Sequence, residues 1–336
     1  MKLVRPKYEI IEQGPGLQGI YDIIEKCGKT SYKSSVKGGA AAKTFTDARV
    51  KEGHGAVLEF GTVYLDIELQ NPLVCYKETY EWSRGDAVSF YETNSYSKVV
   101  KFGYHRYITT NYRVIVENNR LDDLKYLCEP TEYHKRRHTV RFISDIGVGR
   151  EFLRHRVMSM VQESTRWVDY ARDKFGNECT FVIPPWIKEY EVAEGDKIEW
   201  WDGDWIDMNT MKAINRIDGF ARPDINAWLN LLYASEETYK TLISQGWIAE
   251  QARTVLPLAT KTEYDLCGFT DAWVHFFQLR SDIAKTGKPH PQALELANPL
   301  RDEFIERGFF SKKDLEDDES GTVFDICSAD DNLKLD

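Results

Sequence analysis

One short segment carries three basic side chains followed by a polar turn. The run Arg154-His155-Arg156 is separated by seven residues from Ser164-Thr165-Arg166. A guanidinium suits a bidentate grip on phosphate or on the carbonyl edge of a planar ring. Hydroxyl and backbone N–H groups in the turn would add donors for an anion. The segment predicts a phosphate cradle, with a solvated basic loop bridged to surface acids as the alternative.

Further charged residues follow the same order along the chain as in a known family. Arg253 lies in the stretch Ala-Arg-Thr-Val-Leu-Pro, and Arg280 ends the stretch Phe-Phe-Gln-Leu-Arg. Upstream, His54 and Glu59 lie in Gly-His-Gly-Ala-Val-Leu-Glu, just before a predicted strand. Together with the first segment, this ordered set resembles the flavin-dependent thymidylate synthases. The resemblance covers roughly residues 10–310.

The resemblance implies a flavin site beside a nucleotide site. FAD would be contacted by Thr62, Arg154, His155, Arg156 and His275. The substrate dUMP would be held by Glu151, Gln162, Ser164, Thr165, Arg166, Arg253 and Arg280. In the family pattern Arg253 reaches the phosphate from another subunit. Arg280 would be the catalytic residue, because its charge near uracil favours the form deprotonated at N3, which makes C5 more nucleophilic.

The implied reaction is the reductive methylation of dUMP to dTMP. 5,10-Methylenetetrahydrofolate would give the carbon, and NADPH would reduce FAD, which would supply the hydride. A route that adds a cysteine to C6 of uracil needs a thiol near these motifs, and none lies in or beside them. Cys267, the nearest in sequence, is interpreted as a small buried apolar residue. A flavin route needs no protein nucleophile, so this composition is consistent with it.

Several positions depart from the family pattern. Phe60 stands where many members have histidine, and Glu151 where glutamine is usual. Phe269 and Asp271 stand where compact members direct Asn and Arg toward FAD. These departures motivate a second hypothesis, in which the same nucleotide and flavin give another 5-substituent, such as hydroxymethyl.

Charge argues against a general nucleic-acid-binding function. The 336 residues include 44 basic and 54 acidic side chains, for a net charge of −10. An acidic surface repels a polyanion, so nucleic acid is not expected as a partner. A non-catalytic nucleotide- or RNA-binding homologue is the third hypothesis.

The sequence also bounds localisation and metal content. No run of about 18 apolar residues is present, and the first residues lack the apolar stretch of a secretory signal. Six scattered cysteines form no C-x-x-C pair, which favours free thiols in a reducing compartment and predicts no metal site. We therefore expect a cytoplasmic protein without a membrane partner.

A second basic run spans His134 to His138. We interpret it as a solvated loop or a salt-bridge patch between subunits that could steer anionic substrates. Nucleic-acid contact is the alternative. Its two histidines, four residues apart, would suit a metal only on a helix, and the following residues favour a strand.

Hydrophobic periodicity predicts an α+β chain. Strands are expected at 61–69, 98–102, 107–116, 138–144 and 261–266, and a polar loop at 156–179. Helices are expected at 16–27, 44–52, 121–128, 146–155, 223–245, 248–255, 270–282 and 291–308. The predicted fold is a central, mostly antiparallel sheet flanked by helices, and the resemblance implies a homotetramer. We expect one domain over 1–336, with an insertion at about 186–222 that has its own helix and a tail at 312–336 that is mobile at its end.

Overall fold

The computed structural model describes residues 1–69, 82–172, 176–187, 197–217, 220–285 and 287–316. The strands in these ranges are β1 Lys2–Val4, β2 Lys7–Ile11, β3 Thr62–Glu68, β4 Lys98–Phe102, β5 His105–Asn111, β6 Arg137–Asp145, β7 Ser159–Gln162, β8 Thr180–Val182, β9 Ile198–Trp201, β10 Asp204–Asp207, β11 Lys212–Ala213, β12 Arg216–Ile217, β13 Phe220–Ala221 and β14 Lys261–Phe269. The α-helices are α1 Gly16–Gly28, α2 Gly39–Lys51, α3 Gly55–Leu58, α4 Trp82–Thr93, α5 Tyr112–Glu117, α6 Ile146–Phe152, α7 Pro223–Ser244, α8 Ala249–Ala252, α9 Thr270–Arg280, α10 Pro291–Glu306 and α11 Lys312–Glu316. Short 3-10 helices span Lys29–Tyr32, Leu121–Tyr126 and Arg253–Val255.

A four-stranded antiparallel sheet organises the part of the chain that matches the motifs. Its strand order is β2-β6-β14-β7. The nine residues of β6 pair in register with the nine of β14, and the four of β7 pair with the middle of β14. This pairing places β7 next to the segment that leads into α9. The first arginine motif and Arg280 therefore converge although they are far apart in sequence.

One face of this sheet packs against helices. Val140 and Phe142 on β6 and Tyr264 and Leu266 on β14 are fully buried. They form one apolar cluster with residues of α6, α9 and α10. Alternating side chains point to opposite faces of a strand, so the intervening residues of β6 and β14 face the other layer.

On that other face, a buried ion pair joins the two central strands. Arg141 lies directly opposite Asp265 in the register. Its Nε and Nη2 donate to the two carboxylate oxygens at 2.7 and 3.0 Å. Thr30 donates its hydroxyl to the same carboxylate at 2.7 Å, and Cys27 of α1 packs nearby with no exposed surface. Asp265 is itself fully buried.

A second antiparallel sheet has the order β3-β5-β4. The predicted strand at 61–69 and the hairpin starting at 98 are confirmed. The predicted extension of the second hairpin strand to 116 is wrong, because β5 ends at Asn111. The Asn111 side chain accepts a hydrogen bond from the Val114 N–H at 3.1 Å and so caps α5, a role that favours asparagine.

The predicted loop at 156–179 contains β7. Four residues of mixed polarity carry too little periodicity to indicate a strand. The long-range hydrogen bonds to β14 supply what the local pattern lacks.

The insertion at 186–222 differs from its prediction in the residues that are described. Instead of a helix, 197–217 and 220–222 hold the sheet β11-β10-β9 and the hairpin β12-β13. Residues 188–196 and 218–219 lie outside the described residues. Trp205 is buried in this sheet and packs with residues of α7, so its tryptophans serve a β layer rather than an amphipathic helix.

The other helices agree with their predictions within a few residues, although α2 begins earlier, at Gly39, and α6 ends earlier, at Phe152. Of the predicted tail, 312–316 form α11 with Leu315 buried, and 317–336 lie outside the described residues. The described chain is a mixed α+β structure with mostly antiparallel sheets. None of the helices in the described part is both long and apolar enough to cross a membrane.

We expect Asp265→Ala to lower the free energy of unfolding by about 3 kcal/mol or more, because it leaves the Arg141 guanidinium without its buried carboxylate. Denaturant titration measures this change. Glu9→Ala is the matched control: Glu9 lies opposite Arg141 on β2 but forms an exposed pair with Lys26, so its loss should cost less than about 1 kcal/mol. Equal effects of the two variants would contradict the structural role assigned to Asp265.

Candidate functional site

The loop between α6 and β7 presents the first arginine motif. Arg154 and Arg156 are exposed, and neither has a carboxylate partner among the described residues. His155 between them is 5% exposed and packs against Phe276 of α9 at a ring distance of 4.9 Å. Two guanidiniums therefore face outward while the imidazole anchors the loop to the core.

Arg280 lies behind this loop, at the end of α9. Its Nε donates to Nε2 of His155 at 3.1 Å, and its Nη2 donates to the backbone oxygen of Glu151 at 3.0 Å. The Glu151 carboxylate lies 3.4 Å from Nη1. The guanidinium is thus fixed by two residues of the α6 segment. Three of its five N–H donors are used, and two are left for a ligand.

His155 is a neutral acceptor in this arrangement. Burial, together with the nearby charges of Arg280, His275 and Arg154, lowers the pKa of His155 to about 3. A guanidinium can only donate, so Nε2 of His155 is unprotonated and the ring proton is on Nδ1. The ring of His275, exposed on α9, lies 6.1 Å away.

The polar turn after β7 is closed by hydrogen bonds to Ser164. The Ser164 hydroxyl accepts from the Arg166 N–H at 3.3 Å, and the Ser164 carbonyl accepts from the N–H groups of Trp167 and Val168. Arg166 is exposed, and its Nε pairs with Glu250 of α8 at 3.1 Å. An exposed ion pair of this kind contributes at most about 1 kcal/mol, so a phosphate can displace Glu250 at little cost.

The second arginine motif reaches the same turn. Nη1 of Arg253 donates to the Thr165 hydroxyl at 3.1 Å. The structure therefore brings the Ser164 turn and this arginine together within one chain. The reach of Arg253 into the site of another subunit, which the family pattern implies, stays a prediction.

Gln162 joins the two halves of the site. Its Nε2 donates to the Thr262 hydroxyl of β14 at 3.1 Å. The Gln162 side chain also packs against Gly149 of α6: a Cβ atom added at this glycine would lie 3.4 Å from Gln162 Nε2. Gln162 therefore links β7 both to β14 and to α6, the helix that carries Glu151.

A buried charge cluster that sequence analysis missed supports the turn. Glu163 is 4% exposed, and its carboxylate accepts from Lys261 Nζ at 3.0 Å and from the Tyr170 hydroxyl at 3.1 Å. Lys261, 7% exposed, also contacts Glu263. Glu163 stands between two candidate ligand-binding residues in sequence. The position of Glu163 between them was a signal available in the sequence, but its partner on β14, Lys261, is identified only by the fold.

Thr62 lies on the far side of β7 from the turn. Its hydroxyl accepts from Arg137 Nη1 at 3.2 Å, and Arg137 Nη2 donates to the Ser159 hydroxyl at 3.3 Å. Thr62 is 5% exposed. It is connected to the arginine loop through β7 and does not contact Arg154 or Arg280.

The atypical positions have partners in this chain. Phe60 is fully buried in a cluster with Cys27 and Cys267. Asp271 forms an ion pair with Lys98 of β4, and the same ammonium lies 4.8 Å from the centre of the Phe269 ring. The β4–β5 hairpin therefore engages the region that compact family members direct toward FAD.

The upstream pattern residues do not join the cluster. Glu59 accepts from Arg113 at 2.7 Å, and His54 is exposed with its nearest acid, Glu52, at 3.9 Å.

The prediction of a solvated loop for the second basic run is only partly correct. Lys135 and Arg136 are exposed, but His134 is buried and its ring contacts the Leu65 carbonyl at 3.2 Å. His138 stacks on Phe309 at 4.0 Å, and its burial lowers its pKa to about 4, helped by Arg136. Within the described ranges, no cluster of His, Cys, Asp and Glu could hold a metal ion.

We expect acid to destabilise the fold through two histidines. The folded-state pKa values of His138 and His155 lie below the ordinary value near 6.5, so only the unfolded chain takes up their protons between pH 6.5 and about 4. Each of the two histidines should lower the free energy of unfolding by up to about 1.4 kcal/mol per pH unit as the pH falls. Denaturant titrations of His138→Gln across this range should show a smaller slope than the parent, and the exposed His54→Gln should not.

Comparison with known proteins assigns the family. The model of the thymidylate synthase complementing protein family, Thy1, matches residues 137–306. The flavin-dependent thymidylate synthase of Thermosipho africanus is 24% identical over 157 residues, 47% of this chain and 60% of that relative. The flavin-dependent thymidylate synthase of Synechocystis sp. is 26% identical over 157 residues, 45% of this chain and 60% of that relative. The chain thus spans about 60% of the length of the curated relatives it matches.

Among solved structures, a UMP/dUMP methylase PolB from Streptomyces cacaoi bound with 5-Br dUMP aligns over 91% of this chain and 93% of that chain, at 13% identity and a TM-score of 0.41. That likeness is too distant to carry a functional assignment. The family match, in contrast, extends over half of the chain and contains the Arg154 loop, the Ser164 turn, Arg253 and Arg280. The chain belongs to the thymidylate synthase complementing protein family.

Proposed function

We propose that this protein is a flavin-dependent thymidylate synthase that converts dUMP to dTMP with 5,10-methylenetetrahydrofolate and NADPH. The observation that carries the proposal is the Ser164 turn, where Arg253 donates to Thr165 beside Arg166, on the strand that follows the Arg154 loop to which Arg280 is bound. In a chain with a net charge of −10, such a convergence of cations is typical of a site for an anionic ligand. Family membership indicates which anions to test.

The residues on the Arg154 loop fit a flavin. Arg154 and Arg156 offer exposed guanidiniums, and no acid in the described residues neutralises them. They are suited to hold FAD, together with His155, His275 and Thr62 at the edges of the site. Bound flavin would supply the hydride that completes the methyl group. The cationic loop would favour an anionic reduced ring by electrostatics.

The Ser164 turn fits the phosphate of dUMP. Ser164 and Thr165 provide hydroxyls, and Arg166 and Arg253 provide charge-assisted donors. In the absence of substrate, Arg166 is paired with Glu250, which keeps the side chain near the turn. Gln162 and Glu151 lie between this turn and Arg280, where the sugar and base of the nucleotide would extend.

Arg280 is placed to act on the base. His155 and Glu151 hold its guanidinium from behind, so the two remaining N–H groups can meet a uracil carbonyl edge. Neutral His155 adds no charge, and the Glu151 carboxylate, 3.4 Å from Nη1, offsets part of the positive charge of Arg280. The remaining charge would stabilise the base deprotonated at N3. That stabilisation makes C5 a better nucleophile toward the incoming carbon.

Three of the cysteines in the described part support a route without a thiol nucleophile. Burial raises the pKa of Cys179 to about 12 and that of Cys128 to about 11. Burial also raises the pKa of Cys27, which has no exposed surface. Raised pKa values suppress the thiolate that addition to uracil C6 requires.

The proposal includes a cytoplasmic homotetramer with shared active sites. Large apolar side chains are exposed around the Ser164 turn and α8: Trp167 67%, Leu258 56%, Ile248 54% and Trp247 44%. A patch of this kind beside a polar site is typical of a protein interface. A second copy of the chain would cover it and complete the walls of the site.

The decisive experiment uses the purified full chain. We expect flavin absorbance near 450 nm, tritium release from 5-tritiated dUMP with NADPH and the folate, a product with the mass of dTMP, and a tetramer by light scattering. A colourless protein that binds no added FAD and releases no tritium would refute the assignment. A product of another mass, such as that of 5-hydroxymethyl-dUMP, would replace the thymidylate synthase assignment with the second hypothesis.

We expect Arg166→Ala to raise the KM for dUMP by about 10-fold to 100-fold with a smaller change in kcat, because a charge-assisted bond to phosphate is lost. Glu250→Gln should lower KM, because it frees Arg166. Steady-state kinetics measure both changes. Arg172→Ala is the control, since Arg172 is exposed nearby but pairs with Asp169. An unchanged KM in Arg166→Ala would exclude Arg166 as a phosphate ligand.

For Arg280→Ala we expect kcat to fall by about 100-fold or more, as for loss of a group that stabilises developing charge. The thermal midpoint should fall by only a few degrees, because Glu151 is partly exposed and can be hydrated while the buried Nε2 of His155 loses one hydrogen bond. Arg280→Lys should recover part of the rate, because it keeps the charge without the fork of donors. If activity is lost only because the variant unfolds, Arg280 is not part of the catalytic machinery.

A further inference from the structure

A cavity of about 450 Å³ lies beside the candidate site, between β2, β6 and the loop that leads into β6. Gln13, Thr62, Tyr64, Arg136 and Arg137 are among the residues that line it. A volume of this size suits part of a nucleotide or a comparable small molecule. Thr62 is the one candidate-site residue in its lining among the described residues.

Two guanidiniums in this wall have no acidic partner among the described residues. Arg136 is exposed, contacts the Pro130 carbonyl at 3.4 Å and lies 5.9 Å from the Tyr64 ring centre. Arg137 donates only to neutral oxygens, namely the Glu59 carbonyl at 3.0 Å and the hydroxyls of Thr62 and Ser159. Their charges are therefore uncompensated in an otherwise acidic protein.

The two acidic residues that line the cavity already have hydrogen-bond partners. Glu12 pairs with Arg307 at 2.9 Å, and Glu129 accepts the Gly16 N–H at 3.0 Å. The remaining titratable neighbour, His138, is neutral at pH 7 because burial lowers its pKa to about 4. The lining thus carries three arginines against two carboxylates, an excess of one positive charge.

We propose that this cavity binds the oxyanion, phosphate or carboxylate, of a second small ligand, with Arg136 as its principal contact. Arg137 supports the site and donates to the Ser159 hydroxyl at the start of β7. This four-residue strand leads from the Arg154 loop to the Ser164 turn. The site would accept any small oxyanion, so the inference does not depend on the proposed function. If the chain is the proposed synthase, the anionic parts of FAD, NADPH and the folate are the sources to distinguish.

The test measures binding to the full chain by titration calorimetry, with inorganic pyrophosphate as the phosphate probe and p-aminobenzoyl-glutamate as the carboxylate probe. We expect saturable, salt-sensitive binding of one probe. Arg136→Ala should weaken it about 10-fold or more, and Arg136→Lys should weaken it less. Lys135→Ala removes the same charge from the adjacent exposed position, and should leave binding unchanged.

Arg166→Ala separates this site from the nucleotide site. Retained binding in Arg166→Ala, with loss in Arg136→Ala, supports the cavity, and the probe that binds identifies the oxyanion. Binding that is lost in Arg166→Ala but kept in Arg136→Ala would place the anion at the Ser164 turn and overturn the inference while leaving the proposed function intact. Equal weakening by Lys135→Ala, or no saturable binding of either probe up to about 10 mM, would also overturn it.

Discussion

The buried pair of Arg141 and Asp265 sets the frame for everything else in this structure. A carboxylate with no exposed surface is tolerated only where a cation meets it in good geometry. Here that requirement fixes β6 against β14 in one register. The same register sets where β14 delivers α9, and hence where Arg280 meets the α6 segment. A slip of one residue would turn the apolar face of both strands away from the helices that cover it.

The site reconciles an acidic chain with anionic ligands by giving its arginines different partners. Arg280 is held by a neutral histidine and by Glu151, and Arg166 by an exposed glutamate that a phosphate can replace. Arg154 and Arg156 face outward with no acid beside them in the described residues. Buried Glu163, in contrast, is neutralised by Lys261. Lys261 also pairs with Glu263, so one ammonium serves two carboxylates near the turn.

Local patterns predicted much of the secondary structure and little of the supporting architecture. The helix ending at Gly28, the strand near 62 and the helix from Pro223 carry strong periodicity, and each is present. Short β7 depends on hydrogen bonds to distant β14, so its own sequence could not reveal it. The strands of the 186–222 segment pair in local hairpins, and the prediction of a helix there missed them. The turn of the chain at Asn111 was missed because one capping side chain outweighed a run with high strand propensity.

The sequence by itself indicated the family through the resemblance of its ordered arginine motifs, and the family model confirms it. Only the tertiary structure decided which of these residues meet. It brought Arg253 to Thr165 in the same chain, left His54 outside the cluster and set Thr62 on the far side of β7. It also recruited Lys98, Lys261 and Glu250, which no motif marks. The reason is physical: contacts across a sheet are set by strand register and helix packing, which depend on the whole chain rather than on any one segment.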